Sequence, residues 1–244
     1  NLGARTDAKK RMKHGWVPFI LPHMEQQPLS NSYNLALDWR DRENMTTVSS
    51  HINTLMCPSA PPARFDAFTQ TDFDTKVRYT EIVAAATDYG VLNGYDGALG
   101  TKGFADPAGP TFIGPGIMEF NLTRRIATIT DGLSNTLMVT EDAGRPLRYT
   151  AGNRIRPGFS SGGGWADREN DFITDGFSAD GLKQTGPCHT NCTNNNEVFA
   201  FHPGGAHQLF ADGSVRFIKE TTNIRIFCRL ITPDRGEVVT STDY

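Results

Sequence analysis

Residues 201–218 read Phe201-His-Pro-Gly-Gly-Ala206-His-Gln-Leu-Phe-Ala211-Asp-Gly-Ser-Val215-Arg-Phe-Ile218, and the fold class turns on this stretch. Two short runs rich in apolar residues, 207–211 and 214–218, flank Asp212-Gly213. Asp and Gly tolerate the positive φ of a type I′ turn, so the spacing predicts a β-hairpin about that pair. Just upstream, residues 197–201 read as a strand ended by a tight turn at His202-Pro203-Gly204-Gly205. Just downstream, residues 223–231 place Ile224, Phe227, Cys228 and Ile231 on one face of a short helix. A last short strand is expected at residues 236–239.

Towards the N-terminus the pattern changes. Residues 16–29 carry Trp16, Phe19, Ile20, Met24 and Leu29, interrupted by Pro18 and Pro22, so one short helix or two broken turns are expected. Residues 43–56 place Val48, Ile52, Leu55 and Met56 at helical spacing and stop at Cys57-Pro58. Ala60-Pro61-Pro62-Ala63 then reads as a rigid connector. Residues 79–86 form a strand of small residues. Residues 126–141 give a turn at Asp131-Gly132 leading into a strand. Residues 88–116 and 152–196 are dominated by Gly, Pro, Asn and Asp and read as two long loop excursions. Helices first, then antiparallel strands with long insertions, make the class α+β, and residues 1–244 read as a single domain.

Bulk properties exclude more than they assign. The chain has 244 residues, 38% hydrophobic and 21% charged, enough apolar material for a core. The formal charge of −3 offers no basic stripe for phosphates, so no nucleic-acid partner is expected. The basic residues between Arg5 and Lys13 read as a solvated tail. No stretch approaches the roughly 18 apolar residues of a membrane span. The sequence starts at Asn1 rather than Met, so a fragment or a processed form is expected.

Few motifs carry chemistry. Gly162-Gly163-Gly164-Trp165 lacks the strand, Lys and helix of a phosphate loop, and reads as a flexible loop with an aromatic anchor. There is no Gly-x-Ser-x-Gly elbow and no His-Glu-x-x-His pair. Asp167, Glu169, Asp171, Asp175 and Asp180 crowd one loop. They read as a solvated acidic segment or, through Asp167, Asp171 and Asp175, as a calcium site without EF-hand spacing. Cys188, His189 and Cys192 sit in a Gly/Pro/Asn-rich segment, where a local disulfide, free thiols and a loosely spaced zinc set all fit the spacing. His202 with Asp212 suggests a catalytic pair, but no nucleophile is indicated beside them. The structural reading prevails: Asp212 and Gly213 make the turn, and His202 bonds to the hairpin.

His202, nine intervening residues and Asp212-Gly213 also resemble the signature of the prepilin-type processing-associated His-x-nine-Asp-Gly family, filed as a solute-binding-like domain of unknown function. Further segments resemble that family in the same order. They are residues 16–26, Leu55-Met-Cys-Pro-Ser59, Thr130-Asp-Gly-Leu-Ser-Asn-Thr136, Glu141-Asp-Ala-Gly-Arg-Pro146, Gly186-Pro-Cys188 with Asn191-Cys-Thr-Asn194, and Gly236-Glu-Val-Val239. The resemblance implies export, a pilin-like α+β head and no established activity. Family members usually begin with a prepilin signal and a long apolar helix, so this sequence looks like the soluble head that follows them. Membrane contact is then expected only through that helix.

Measured against the family pattern, Cys228 in the last helix looks like a departure that gives Cys57 a partner. A Cys57–Cys228 bridge is therefore expected alongside a local Cys188–Cys192 bridge. The functional expectation is an extracellular structural subunit, not an enzyme, partnered by copies of itself or by other pilin-like subunits through the two long excursions. The rival expectation is a carbohydrate- or solute-binding module using Trp165. No cofactor is expected beyond the candidate calcium.

Overall fold

The computed structural model describes residues 12–107, 113–119, 122–237, 239–240 and 242–244. Most of the basic run before Lys13 lies outside them. Lys13 itself is buried and ion-paired to Asp72 at 2.8 Å and to Asp74 at 3.1 Å, so it anchors the N-terminal segment instead of trailing in solvent.

Proline sets the rhythm of the N-terminal third. Helix α1 (Val17–Ile20) and a 3-10 turn (Leu21–Met24) each carry Pro in their first turn, and α2 (Gln27–Ser32) does too. Pro is tolerated there because the first helical N–H groups have no intrahelical partner. Helix α3 (Arg42–Val48) follows, ending earlier than the helical spacing to Met56 suggests. A 3-10 turn at Asn53–Leu55 takes up the remainder. These short helices pack Val17, Leu21, Val48 and Ile52 against Tyr33, Trp39, Tyr79, Ile82 and Trp165 in one apolar cluster. Strands β1 (Phe65–Thr71) and β2 (Arg78–Ala85) form an antiparallel ribbon beside it.

The second cluster lies on a six-stranded sheet. Its path runs β10 (Val215–Lys219), β9 (Gly205–Phe210), β5 (Leu137–Glu141), β3 (Tyr89–Asp96) and β4 (Ile113–Pro115). Strand β8 (Asp171–Thr174) pairs parallel to β3, whereas the other pairings are antiparallel. Helix α5 (Ile224–Ile231) packs on this sheet through Ile224, Phe227, Cys228, Leu230 and Ile231. Each such side chain taken from water contributes about 1.5–3 kcal/mol. Asn223 starts α5 by accepting the Arg225 N–H at 2.9 Å, as an N-cap should. On its outer side Arg225 and Arg229 both reach Asp106 at 2.6 Å.

The architecture is α+β, and it corrects several local expectations. The stretch 88–116 is not a loop excursion: it holds β3, the short helix α4 (Gly97–Thr101) and β4. The stretch 152–196 holds β7 (Arg154–Phe159), paired with β6 (Leu147–Thr150), and β8. Residues 197–201 form no strand, only single bridges from Val198 to Thr190 and from Phe199 to Asp142. No strand forms at 236–239 among the described residues, although Val239 enters the second cluster.

The hairpin exists, with a different turn. Its last paired residues are Leu209 and Val215, Phe210 N–H donates to Ser214 O at 2.9 Å, and Gly213 N–H donates to Phe210 O at 3.0 Å. Gly213 has φ +84°, while Asp212 is not among the positive-φ residues. This is the three-residue loop in which a type I turn is closed by a left-handed Gly, in place of the two-residue type I′ turn. Outward-facing Val215 and Phe217 are exposed, and Ile218 supplies the buried contact of β10.

Candidate functional site

The signature histidine meets a residue that the signature does not include. Glu141 ends β5, which lies between β3 and β9, and its carboxylate is buried. Its Oε2 accepts the His207 backbone N–H at 2.7 Å and lies 3.2 Å from His202 Nε2 and 3.6 Å from His207 Nδ1. The Phe217 ring stands 5.8 Å from the His202 ring and 5.2 Å from the His207 ring. His202 is therefore tied to the hairpin, through Glu141 and Phe217. Asp212 is at the far end of the hairpin, where its Oδ1 accepts the Ser214 N–H at 2.8 Å and the Ser214 hydroxyl at 2.6 Å. These bonds hold the Asp212 carboxyl below its usual pKa. The two signature residues do not meet, so they form no catalytic pair.

Cys57 approaches the same carboxylate from the N-terminal cluster. It follows the 3-10 turn at Asn53–Leu55, and its Sγ lies 3.1 Å from Ser59 Oγ. One ligand atom each from Cys57, Glu141 and His202 lie within 4.8 Å of one another. Among the described residues this is the one such grouping of three His, Cys or acidic side chains. Cys57 also lines a surface cleft of about 410 Å³ together with His51, Met56 and Pro58.

Asp88 holds the Cys57 segment in place. Its carboxylate accepts the N–H of Cys57 at 2.8 Å and of Gly144 at 2.9 Å, and pairs with Arg64. Its own N–H donates to Leu55 O, and its carbonyl accepts the Asp142 N–H, each at 2.9 Å. Arg145 Nε lies 3.2 Å from the Asp142 carboxylate, and Arg64 Nε donates to Arg145 O at 3.0 Å. Burial raises the pKa of Asp88, pushes Asp142 up to about 7 and pushes nearby Asp66 up to about 6.

The other candidate residues lie elsewhere. Trp165 is fully buried in the N-terminal cluster and donates its indole N–H to Ser50 O at 3.0 Å. It is an anchor for the core and is not available to stack on a ligand. Asp167, Asp171 and Asp175 do not form a grouping of donor atoms among the described residues, and each has its own partner. Asp167 Oδ1 accepts the Glu169 N–H at 2.9 Å, Asp171 accepts from Asn93 at 3.1 Å, and Asp175 accepts from Gln184 at 2.7 Å. The candidate calcium set is thus not assembled.

Cys188 and Cys192 form a disulfide. His189 between them is buried, stacks on Phe227 at 4.2 Å between ring centres, and has Nδ1 2.7 Å from Thr190 Oγ1 and Nε2 2.8 Å from Thr222 O. Burial lowers its pKa to about 4. The zinc reading of this loop therefore fails: two of its donors are in the bridge, and both ring nitrogens of the third are engaged.

The expected Cys57–Cys228 bridge is a correction as well. Both thiols are free and buried. Cys228 is in the sheet-and-α5 cluster, where burial raises its pKa well above the usual thiol value. It packs as a small hydrophobe, while Cys57 faces polar donors. Sequence reasoning missed Glu141 and Cys57 as partners of His202. No local signal singles these three out, because many of the segments carrying the family resemblance contain a metal-competent side chain, Asp131, Asp142, Cys188 and Asp212 among them.

The fold and these converging segments define an α+β protein in which Cys57 and His202, from two separate segments, meet at the Glu141 carboxylate. A family model described as a protein of unknown function (DUF1559) matches residues 2–225, and the chain belongs to that family. No curated protein and no solved structure matches it.

Proposed function

We propose that this chain is the head of an exported, pilin-like structural subunit that assembles outside the cell with copies of itself or with related subunits, and that it is not an enzyme. The observation that carries the proposal is the β6–β7 ribbon. It is a separate two-stranded sheet, and β7 exposes Ile155 at 65% and Phe159 at 76% of their surfaces. Directly opposite Phe159 is Leu147, also exposed. Exposed apolar side chains grouped on a two-stranded ribbon are a liability in a monomer and a ready contact in an assembly. The Cys188–Cys192 disulfide supports an oxidising compartment. The solute-binding alternative loses Trp165 as its aromatic platform, since that ring is inside the core.

Negative-stain electron microscopy of native material, with cross-linking of the heads, tests the reading. Parent protein should form repeating assemblies, with cross-links through residues 147–159. Ile155→Asp with Phe159→Asp should abolish them and leave the melting temperature of the head unchanged. Monomeric heads in native material, or assemblies indifferent to the double substitution, would refute it.

A further inference from the structure

We infer that Cys57, Glu141 and His202 form a binding site for a divalent transition-metal ion of the zinc type. The inference does not depend on the assembly reading. A thiol, a carboxylate and an imidazole come together from three separate segments, with their ligand atoms within 4.8 Å of one another. Zinc with tetrahedral bonds to such donors holds them about 3.3–3.6 Å apart. His202 Nε2 is already 3.2 Å from Glu141 Oε2, so closing the set takes only a small inward movement of donor atoms. His207 Nδ1, 3.6 Å from the same oxygen, falls outside that grouping, so three protein ligands leave the fourth position to water.

The donor types select the ion. Sulfur excludes calcium and magnesium, which take six or more oxygens or keep their water. A mixed S, N and O set suits zinc and its first-row neighbours. Bound as thiolate and carboxylate, Cys57 and Glu141 supply two negative charges, which a divalent ion neutralises in a buried setting. A hydrogen bond between His202 and Glu141 accounts for two of the three residues but gives Cys57 no part. The other free thiol provides the contrast: Cys228 is surrounded by apolar side chains of its cluster, whereas Cys57 stands beside an acid and a histidine.

The surroundings are those of a prepared site. The Cys57 backbone is fixed by Asp88, and Glu141 is oriented by the His207 N–H. Such outer contacts orient ligands and raise affinity. His202 is only partly buried, which leaves a path for the ion.

The test uses purified protein, treated with a chelator that is then removed, and titrated with Co²⁺ and afterwards with Zn²⁺. One equivalent of Co²⁺ should produce near-ultraviolet thiolate-to-metal absorption, and one equivalent of Zn²⁺ should bleach it. Cys57→Ser, which keeps the side-chain shape, should abolish that absorption. Glu141→Gln and His202→Ala should each weaken Zn²⁺ binding tenfold or more. Absence of the thiolate band in the parent protein overturns the inference whether or not any variant folds. Persistence of the band in Cys57→Ser overturns it equally, because the sulfur would then come from elsewhere.

Discussion

Two glycines of the signature hairpin set backbone strain alone, at Gly213, against strain with steric overlap, at Gly205 (φ +155°), and substituting them tests the register on which the Glu141 site depends. At Gly213, φ is +84° and an added Cβ would meet nothing within 4 Å. The cost of substitution there is conformational alone. A side chain in the left-handed region costs roughly 1–2 kcal/mol, offset in part by the 0.4–1 kcal/mol that alanine gains over glycine in the unfolded chain. Gly213→Ala should therefore destabilise by about 1 kcal/mol, and the β-branched Gly213→Val by about 1–3 kcal/mol. At Gly205 a Cβ would overlap the Ile218 carbonyl oxygen across the β9–β10 ladder, with Lys219 Cα at 2.9 Å. Backbone has to move there, and Ile218 is a core residue. Gly205→Ala should cost about 3 kcal/mol or more. Urea unfolding followed by tryptophan fluorescence reads both. With a slope of about 2–3 kcal/mol/M, a loss of 2 kcal/mol moves the midpoint by roughly 0.7–1 M. If Gly213→Val costs less than about 0.5 kcal/mol, or Gly205→Ala is the milder change, the turn assignment and the register drawn from it are wrong.

Peptide mapping without reductant should find the Cys188–Cys192 bridge alone, with Cys57 and Cys228 labelled only after unfolding. The bridge closes a loop of sequence separation 4, so its reduction should cost about 2 kcal/mol on chain-entropy grounds. A Cys57–Cys228 cross-link in the map would overturn the assignment of the free thiols. Asp167 contributes to the loss of stability with rising pH: burial first, then the neighbouring Glu169, push its pKa up to about 8. A folded value above the unfolded value of about 3.9 means that stability is fully present below that pH and is lost as pH rises through about 8. Asp167→Asn keeps an acceptor for the Glu169 N–H and has no proton to lose. Its melting temperature should fall less than the parent's between pH 6 and 9, by the equivalent of about 1–3 kcal/mol. Asp142 leaves some decline in both proteins, and parallel profiles would show that Asp167 does not titrate in this range.

Elements announced by local chemistry could be read from the sequence. Pro18 and Pro22 broke the first helices, the spacing of Ile224, Phe227, Cys228 and Ile231 marked α5, and Asp212-Gly213 marked a hairpin, though not its turn type. Elements set by distant packing could not be read. Strand β1 inverts the usual alternation, exposing Phe65 while burying Asp66, because Asp66 faces the polar interior near Arg145 and Gly163. Strand β3 looked like a loop through its Gly and Asn residues. Yet a Cβ at Gly90 would stand 3.0 Å from the Phe172 ring, so the glycine there serves close packing between strands. The run Gly162-Gly163-Gly164 suggested flexibility for the same reason. Its small residues let the backbone approach β2, where a Cβ on Gly164 would crowd Ala84, and so carry Trp165 into the core. The Glu141 site was beyond reach because its donors are brought together only by the sheet and by Asp88.

The polar layer around Asp88 explains why that site can be well defined although its parts come from different cores. Leu55, two residues before Cys57, belongs to the N-terminal cluster, and Leu137 at the start of the Glu141 strand belongs to the other. Two apolar surfaces in contact can slide or repack at small cost. A buried network of Arg64, Asp88, Asp142 and Arg145 cannot, since a shift leaves charges without partners, and breaking one such pair costs about 3–5 kcal/mol. Asp88 accepts from Cys57 on one side and from Gly144 on the other, so it fixes the position of the Cys57 segment relative to the end of β5. Replacing such a network with apolar residues often leaves stability no lower. Its effect here is therefore on alignment more than on stability, and the arrangement most sensitive to that alignment is the meeting of Cys57 with Glu141 and His202.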